Sequence, residues 1–354
     1  MSPLRGAAVL VFLAGSVLPR GDAAASSACA GTEAALESIV TALDEGRWAD
    51  ADGLLQPLAT SHPDCGRVIL NLARLRAAQG DPAEAERLFS KALTLAPDDA
   101  VTLALFARFQ LSRGLGPQAA RLAAQSLAID PDCPEALVVR GQILGHRGLF
   151  GESRAVLEKA VALDPNNADA QHELGVWFFR INLFEQAARR FEAAVALSPQ
   201  RTRSLDYLAL CLEMLGEGER AERAYRDALQ LQPKGGPFVD PTLDYNFGRF
   251  LLKQGRLEES RTYLDRAVAQ HPLRRGPRYA RAKLDLAQGD LQAAREDAER
   301  ALALGKPGEH VLDLQVYYLL ATVYSRLGES ELAKKYAELA RTTEIPEQVE
   351  DGRR

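Results

Sequence analysis

The segment LDPNNADA, Leu163 to Ala170, has the composition of a turn between two helices. Proline cannot continue a helix beyond its first turn, and Asp or Asn just after it can cap the next helix. Related segments surround five other prolines, and five consecutive intervals of 34 residues separate Pro63, Pro97, Pro131, Pro165, Pro199 and Pro233. Pro272 and Pro307 follow. A fixed period of this length predicts stacked units, each too small to bury its own apolar face.

A second marker occupies the fifteenth residue of each unit. It is asparagine once, at Asn182, and glycine elsewhere: Gly46, Gly80, Gly114, Gly148, Gly216, Gly255, Gly289 and Gly328. Helices often end on a left-handed residue, which glycine and then asparagine adopt at least cost. Each unit is therefore predicted to be helix, tight turn, helix.

The composition agrees with a helical array. The 354 residues are 47% hydrophobic, 6% aromatic and 26% charged, with a formal net charge of -5. The length exceeds one ordinary compact core, and the charge gives no reason to expect a nucleic-acid partner.

Small alanines recur where the two helices of a unit approach each other, and larger residues such as Phe191 lie between them. With these positions the chain resembles the tetratricopeptide repeat, best in ADAQHELGVWFFRINLFEQAARRFEAAVALSPQ, Ala168 to Gln200. The resemblance implies an all-α α-solenoid of about nine antiparallel helix-turn-helix repeats forming a right-handed superhelix. The units are 32–65, 66–99, 100–133, 134–167, 168–201, 202–235, 241–274, 275–308 and 314–347, which gives an array over 32–347 and a short tail, 348–354.

Unit eight departs from the pattern. Arg278 and Arg281 occupy positions that are apolar in most other units, and Tyr279, Ala282 and Leu286 form an apolar stripe displaced by one residue. Either the first helix of this unit is rotated or its register differs.

The N-terminus is typical of a secretory signal. Arg5 precedes the apolar run Gly6 to Leu18, and a small-residue stretch, Ala23 to Ala28, follows. This order predicts a signal peptide over 1–25, cut after Ala25 or Ala28, and an exported bacterial protein, periplasmic or extracellular. The alternatives are an apolar first helix of a cytoplasmic array, or a lipid anchor at Cys29, which Ser26 disfavours because leucine is usual there. The run is too short to span a bilayer, and no other window approaches that length.

No catalytic, metal-binding or cofactor-binding motif is present. The sequence lacks a phosphate-binding glycine loop, and His172-Glu173 has no second histidine at the zinc-protease spacing. The five histidines are scattered without ligand partners. We therefore expect no enzyme, no metal and no cofactor.

The resemblance implies that the first helices line a concave face and that the fifth and ninth residues of each unit face it. Candidate partner-binding residues on this basis, with Phe179 added as an aromatic contact, are Arg74, Arg108, Gln142, His172, Tyr245, Arg249, Tyr279, Lys283 and Tyr318. Tyrosine at the fifth position is common in the family, so a purely structural role for the tyrosines stays open.

Charge favours the C-terminal end of this face for an acidic ligand. Between residues 241 and 308 there are thirteen Lys and Arg against nine Asp and Glu, and Arg274, Arg275, Arg278, Arg281 and Lys283 lie close together. Such an excess can steer an acidic partner, although a solvated helix face is the more common reason for it.

Cys29 and Cys65 each precede the first helix of neighbouring units, so they can meet. An exported protein offers the oxidising compartment that a disulfide needs. The prediction is a possible bridge that holds the N-terminal unit.

Together these features predict a non-catalytic scaffold that binds a protein or peptide on its concave face. The alternative is a self-assembling structural component of an envelope complex, in which repeat nine packs end to end or as a dimer.

Overall fold

Nine helical hairpins follow one another in the described part of the chain. A computed structural model describes residues 28–231, 242–304 and 311–343, and within these ranges there are eighteen α-helices and no strand. The helices of the first half are α1 (Glu33–Asp44), α2 (Trp48–Ser61), α3 (Gly66–Ala78), α4 (Pro82–Leu95), α5 (Ala100–Ser112), α6 (Gly116–Ile129), α7 (Pro134–His146), α8 (Phe150–Leu163) and α9 (Ala168–Arg180). Those of the second half are α10 (Phe184–Leu197), α11 (Thr202–Met214), α12 (Gly218–Leu231), α13 (Leu243–Lys253), α14 (Leu257–Gln270), α15 (Arg275–Gln288), α16 (Leu291–Ala303), α17 (Asp313–Leu327) and α18 (Ser330–Thr342). The predicted all-α repeat fold is confirmed.

The tight turns inside the hairpins are left-handed, as the sequence predicts. All eight marker glycines have positive φ, and Asn182 takes the same conformation at φ 61°, the one such residue other than glycine in the described ranges. Asparagine tolerates this region better than other residues with a Cβ. The turn of hairpin five therefore keeps the geometry of its neighbours.

The junctions between hairpins follow the proline period. α8 ends at Leu163, two residues before Pro165, and the Asn167 side chain accepts a hydrogen bond from the Ala170 N–H at the start of α9. Asp99 caps α5 in the same way. Cys65 and Cys133 occupy the equivalent position without a side-chain cap.

Close helix contact builds the core of each hairpin. Gly175 of α9 leaves room for Phe191 of α10, since a Cβ on Gly175 would come within 2.8 Å of the Phe191 ring. Phe191 is fully buried, and such burial of a large apolar side chain stabilises by roughly 1.5–3 kcal/mol. First helices of successive hairpins, such as α5, α7 and α9, also pack against each other and form the inner layer of the array.

Hairpin eight keeps its register, and ion pairs explain its unusual sequence. Both Arg278 and Arg281 of α15 pair with Asp297 of α16, which is 6% exposed. Because the charges are matched inside the hairpin, the arginines replace apolar contacts without rotating the helix. The displaced stripe of Tyr279, Ala282 and Leu286 packs in the core around α17.

The N-terminal hairpin is attached covalently to the second. Cys29 and Cys65 form a disulfide across a separation of 36 residues, with a Cα–Cα distance of 4.9 Å. Closing a loop of this length is worth about 3–4 kcal/mol in the chain-entropy model.

Several predicted segments lie outside the described residues. These are the signal peptide with its cut after Ala25, and the tail 348–354. In the part of the chain that is described, none of the helices combines the length and the apolar character needed to cross a bilayer.

Candidate binding groove

The inner layer of the first five hairpins curves until the fifth hairpin touches the first. The Ser198 hydroxyl, just after α10, donates a hydrogen bond of 3.2 Å to the backbone carbonyl of Asp44 at the end of α1. These two residues are 154 positions apart in the chain. The N-terminal half of the array therefore forms a nearly closed turn around its own concave face.

Charged side chains on this face are paired with one another, and we call Arg108, Asp169 and Arg201 the Asp169 cluster. Asp169 forms one ion pair with Arg108 of α5 and a second with Arg201, which precedes α11. The second pair has an N–O distance of 2.6 Å. Burial alone would raise the pKa of the Asp169 carboxyl, but the two arginine charges outweigh it and hold that pKa well below its usual range.

Arg74 is used in the same way, since its Nη2 lies 2.6 Å from Asp44 Oδ1. The sequence identifies Arg74 and Arg108 as ligand contacts. In the structure both are held in ion pairs, because Asp44 of the neighbouring first hairpin lies beside Arg74, and Asp169, two hairpins further along, lies beside Arg108.

Two cavities open on the concave face, one on each side of the Asp169 cluster. The central cavity, about 350 Å³, lies between α5, α7, α9 and α11. The N-terminal cavity, about 480 Å³, lies between α1, α3 and the end of α10. Arg108, Ser112, Asp169 and Arg201 line both, so the cluster divides one continuous concave space.

His172 and Gln142, two predicted contacts, form the polar floor of the central cavity. His172 is 2% exposed, its Nδ1 is 2.9 Å from the Ser204 hydroxyl, and its Nε2 is buried without a hydrogen-bond partner. Burial first, and then the charges of Arg201 and Arg203, lower the His172 pKa to about 3, so the ring is neutral. The Gln142 Oε1 is likewise buried and unpaired.

Three further charged side chains line this cavity: Glu173, Arg180 and Arg203. The sequence did not predict any of the three as a contact. Glu173 is bonded to the Gln142 side chain, and burial raises its pKa despite that bond and the nearby Arg203. Arg180 and Arg203 are exposed at the mouth of the cavity. Their positions in the repeat are neither fifth nor ninth, which is why the family pattern did not select them.

Phe179 packs instead of pointing freely into the groove. Its ring meets Tyr207 and Phe184 edge-on, with centroid distances of 5.3 Å and 5.6 Å. It supports the wall formed by Tyr207 and remains half-buried.

The tyrosine series lies along the C-terminal half, with increasing exposure toward the end. Tyr245 and Tyr279 are half-buried in packing clusters, whereas Tyr318 is 58% exposed. The Lys283 ammonium lies 5.8 Å from the centroid of the Tyr279 ring. This is the arrangement of a cation held on an aromatic face.

Most of the arginines near the C-terminal end form ion pairs with acidic residues of the same protein. Arg249 makes two hydrogen bonds to Glu213, of 3.0 and 3.2 Å. Arg275 is 1% exposed and donates to the carbonyls of Ala301 and Val311 as well as pairing with Asp313. The excess counted from the sequence is therefore not a free basic patch, because Arg278 and Arg281 are also paired.

The described ranges contain no group of three or more His, Cys, Asp or Glu side chains placed to hold a metal ion. The remaining cysteines, Cys133 and Cys211, are buried thiols. Burial raises their pKa values to about 11 and about 12, so neither is an activated nucleophile.

Repeat profiles described as tetratricopeptide repeat match most of this array, over residues 37–100, 76–143, 134–167, 174–236, 214–284 and 314–340. The chain belongs to the tetratricopeptide-repeat family. This fold is typically a non-catalytic scaffold, and the family is consistent with a protein-binding role. No curated protein matches the tetratricopeptide-repeat chain described here.

Solved structures resemble this tetratricopeptide-repeat protein in fold. Human IFIT1 is 17% identical as a monomeric mutant with Gppp-AAAA, with a TM-score of 0.52 over 83% of this chain and 67% of that one. PilF of Pseudomonas aeruginosa is 19% identical over 58% and 92% of the chains, with a TM-score of 0.46. MamA is 22% identical over 45% and 94%, with a TM-score of 0.34. Of these three, only the likeness to IFIT1 has a TM-score above 0.5, and at 17% identity it supports the helical fold alone.

Proposed function

We propose that this protein is a non-catalytic scaffold that binds a peptide segment of a partner protein in the concave groove, with the central cavity as its principal site. One observation carries the proposal. The central cavity is about 350 Å³ and contains two buried polar atoms without partners, His172 Nε2 and Gln142 Oε1. An unpaired buried polar atom costs about 1–3 kcal/mol, and a bound peptide can supply the missing hydrogen bonds.

The walls of the central cavity also suit a peptide. Val176, Leu157 and Trp177 contribute apolar surface, and the Trp177 Nε1 already donates to the Phe150 carbonyl at 2.8 Å, which leaves its rings for packing. Ligand sites commonly combine apolar walls with a few fixed polar groups in about 300–1,000 Å³.

Site-specific photocross-linking tests this function. A cross-linker placed at Val176, inside the central cavity, should capture a defined peptide of a partner when the cells are irradiated. The matched position is Arg189 on α10, which is exposed and does not line either cavity. Adducts that form equally at both positions, or at neither, would contradict a groove-binding function.

Export is part of the proposed function, and two features support it. The residues before Cys29 have the order of a secretory signal, and a Cys29–Cys65 disulfide requires an oxidising compartment. A lipid thioether would use the same Cys29 sulfur, so the disulfide disfavours the lipid anchor. Mass spectrometry of the mature chain should find 25 or 28 N-terminal residues removed, whereas an intact N-terminus would refute export.

Assembly through repeat nine stays a prediction. In α18 only Ala340 is buried, so this terminal helix has the largest uncommitted surface of the described ninth hairpin. Light scattering over a concentration series tests the idea, since a monomer that persists at high concentration excludes self-association.

A further inference from the structure

The chemistry of the central cavity defines the kind of peptide group that it can hold. We infer that this cavity binds a carboxylate-bearing residue of the peptide, with Arg180 and Arg203 on the carboxylate and Gln142 on the adjacent backbone N–H. The inference rests on the proposed function and names the ligand class for the same site.

Two arginines, Arg180 and Arg203, lie at the mouth of the central cavity. Arg180 Nη1 donates to the Gly145 carbonyl at 3.2 Å, and Arg203 is bonded to Tyr207 one turn along α11. Among the described residues, no ion pair is formed by either guanidinium, although the buried Glu173 carboxyl is near enough to Arg203 for that charge to lower its pKa. Other groove arginines, such as Arg74 and Arg108, are paired.

The guanidinium groups of Arg180 and Arg203 line the same cavity and influence the same histidine. His146, at the end of α7, also lines the cavity, and its pKa is lowered by burial and then by the charges of Arg180 and Arg203. Arg180, Arg203 and His146, from α9, the start of α11 and α7, thus line one cavity, in which Glu173, a carboxyl whose pKa is raised by burial, is the nearby acidic group. A carboxylate placed among them relieves that repulsion and gains charge-assisted hydrogen bonds.

The floor of the cavity excludes a simple anion as the best ligand. Gln142 Oε1 only accepts hydrogen bonds, and the neighbouring Glu173 carboxyl also accepts. A ligand therefore needs a donor next to its anionic group. A peptide residue has both, since its backbone N–H is covalently close to its carboxylate, whereas phosphate at neutral pH offers little donor capacity.

Either a C-terminal carboxylate or an acidic side chain provides this chemistry. Four probes separate the sources: N-acetyl-Ala-Ala with a free acid, N-acetyl-Ala-Ala amide, N-acetyl-Glu amide and inorganic phosphate. Binding is followed by the imidazole NMR signals of His146 and His172 in the mature protein. The free acid or the Glu amide should shift both signals and raise the His146 pKa, because a negative charge joins the cluster. The Ala-Ala amide should not.

Two variants connect the signal to the inferred contacts. Arg180→Gln combined with Arg203→Gln should weaken binding of the acid probe by about tenfold or more, since charge-assisted bonds are lost. The matched control, Arg189→Gln, removes an exposed arginine outside the cavity and should leave binding unchanged. All three substituted positions are exposed, so circular dichroism should remain that of the parent protein.

The outcomes separate failure of the carboxylate site from failure of the proposed groove function. Equal binding of the acid and amide probes, or tighter binding of phosphate, would overturn the carboxylate site, and a phosphate preference would point to a nucleotide ligand. If Val176 still cross-links a peptide in that case, the proposed groove function survives without this inference. If neither probe nor cross-link engages the groove, both fail.

Discussion

The N-terminal and C-terminal halves of the array use the same repeat positions differently. In hairpins one to five, groove-facing Arg74 and Arg108 pair with Asp44 and Asp169, which lie in other hairpins. In hairpins seven to nine the equivalent positions hold three tyrosines, Lys283 and Arg249, and Arg249 pairs with Glu213 of the neighbouring sixth hairpin; the tyrosines are Tyr245, Tyr279 and Tyr318. Within the described residues of the first half, the Arg108–Asp169 and Ser198–Asp44 contacts join hairpins that are not neighbours, whereas Arg74 and Asp44 belong to adjacent hairpins. Closure of the first half therefore places Arg108 in an ion pair, whereas Gln142 and His172 of the same half still line the central cavity.

The largest expected effect is on the covalent attachment of hairpin one. Replacing Cys29 and Cys65 by serine should destabilise that hairpin by about 3–4 kcal/mol, because the unfolded chain regains the entropy of a 36-residue loop. Hydrogen exchange should rise in α1 and α2 while α13 to α18 keep their protection, since repeats unfold locally. Uniform exchange along the whole array would contradict this.

The second effect breaks the Asp169 cluster. Asp169→Asn leaves Arg108 and Arg201 without their anion and should cost about 2–3 kcal/mol, somewhat less than a fully buried pair because the Asp169 side chain is 30% exposed. Asp297→Asn is the comparison, since it also removes the anion that two arginines share but lies away from the turn; Arg278 then loses its partner, and Arg281 keeps Asp265. Small-angle scattering should show expansion for Asp169→Asn alone. Equal expansion in both variants would refute the role in curvature.

The third effect is a loss of folding stability at acid pH. His172 has a folded-state pKa lowered to about 3, against about 6.5 in an unfolded chain, so its contribution is present at neutral pH and is lost as pH falls from 6.5 toward 3. At pH 5 this loss is about 2 kcal/mol.

Glu173 opposes this trend, because its raised pKa makes the folded state gain a proton as the pH falls. Comparing denaturation of the parent and His172→Gln between pH 7 and pH 5 isolates the histidine. The variant should lose less stability across that range than the parent does.

The smallest effect is at the open end. Tyr318→Ala should change stability by less than about 0.5 kcal/mol, because its side chain is 58% exposed. Tyr324→Ala, one and a half turns along α17, is the comparison, since Tyr324 is 4% exposed and stacks on Tyr336 at 5.5 Å. A stability loss of similar size in the two variants would show that Tyr318 is structural.

The period of the prolines and glycines was sufficient to predict the hairpins, because a left-handed turn at Asn182 or a break at Pro165 depends on local backbone geometry. Curvature was not predictable in this way. Asp169 pairs with Arg108 across 61 residues, and no local pattern records such a distance. Gln142 and His172, predicted as partner contacts from the repeat pattern, line the central cavity, and their binding role stays a prediction. The pattern did not select Glu173, Arg180 and Arg203, which reach that cavity through the stacking of successive hairpins.

The contact between Ser198 and Asp44 has a consequence for how the chain is made. Almost every other contact joins neighbouring hairpins, so each hairpin can settle on the previous one during synthesis. This hydrogen bond can form only once the fifth hairpin is present, and the central cavity is complete only when Arg203 and Tyr207 of the sixth have joined it. An array cut short before residue 198 would keep the pairing of Arg108 with Asp169 but would lack the contact that closes the turn.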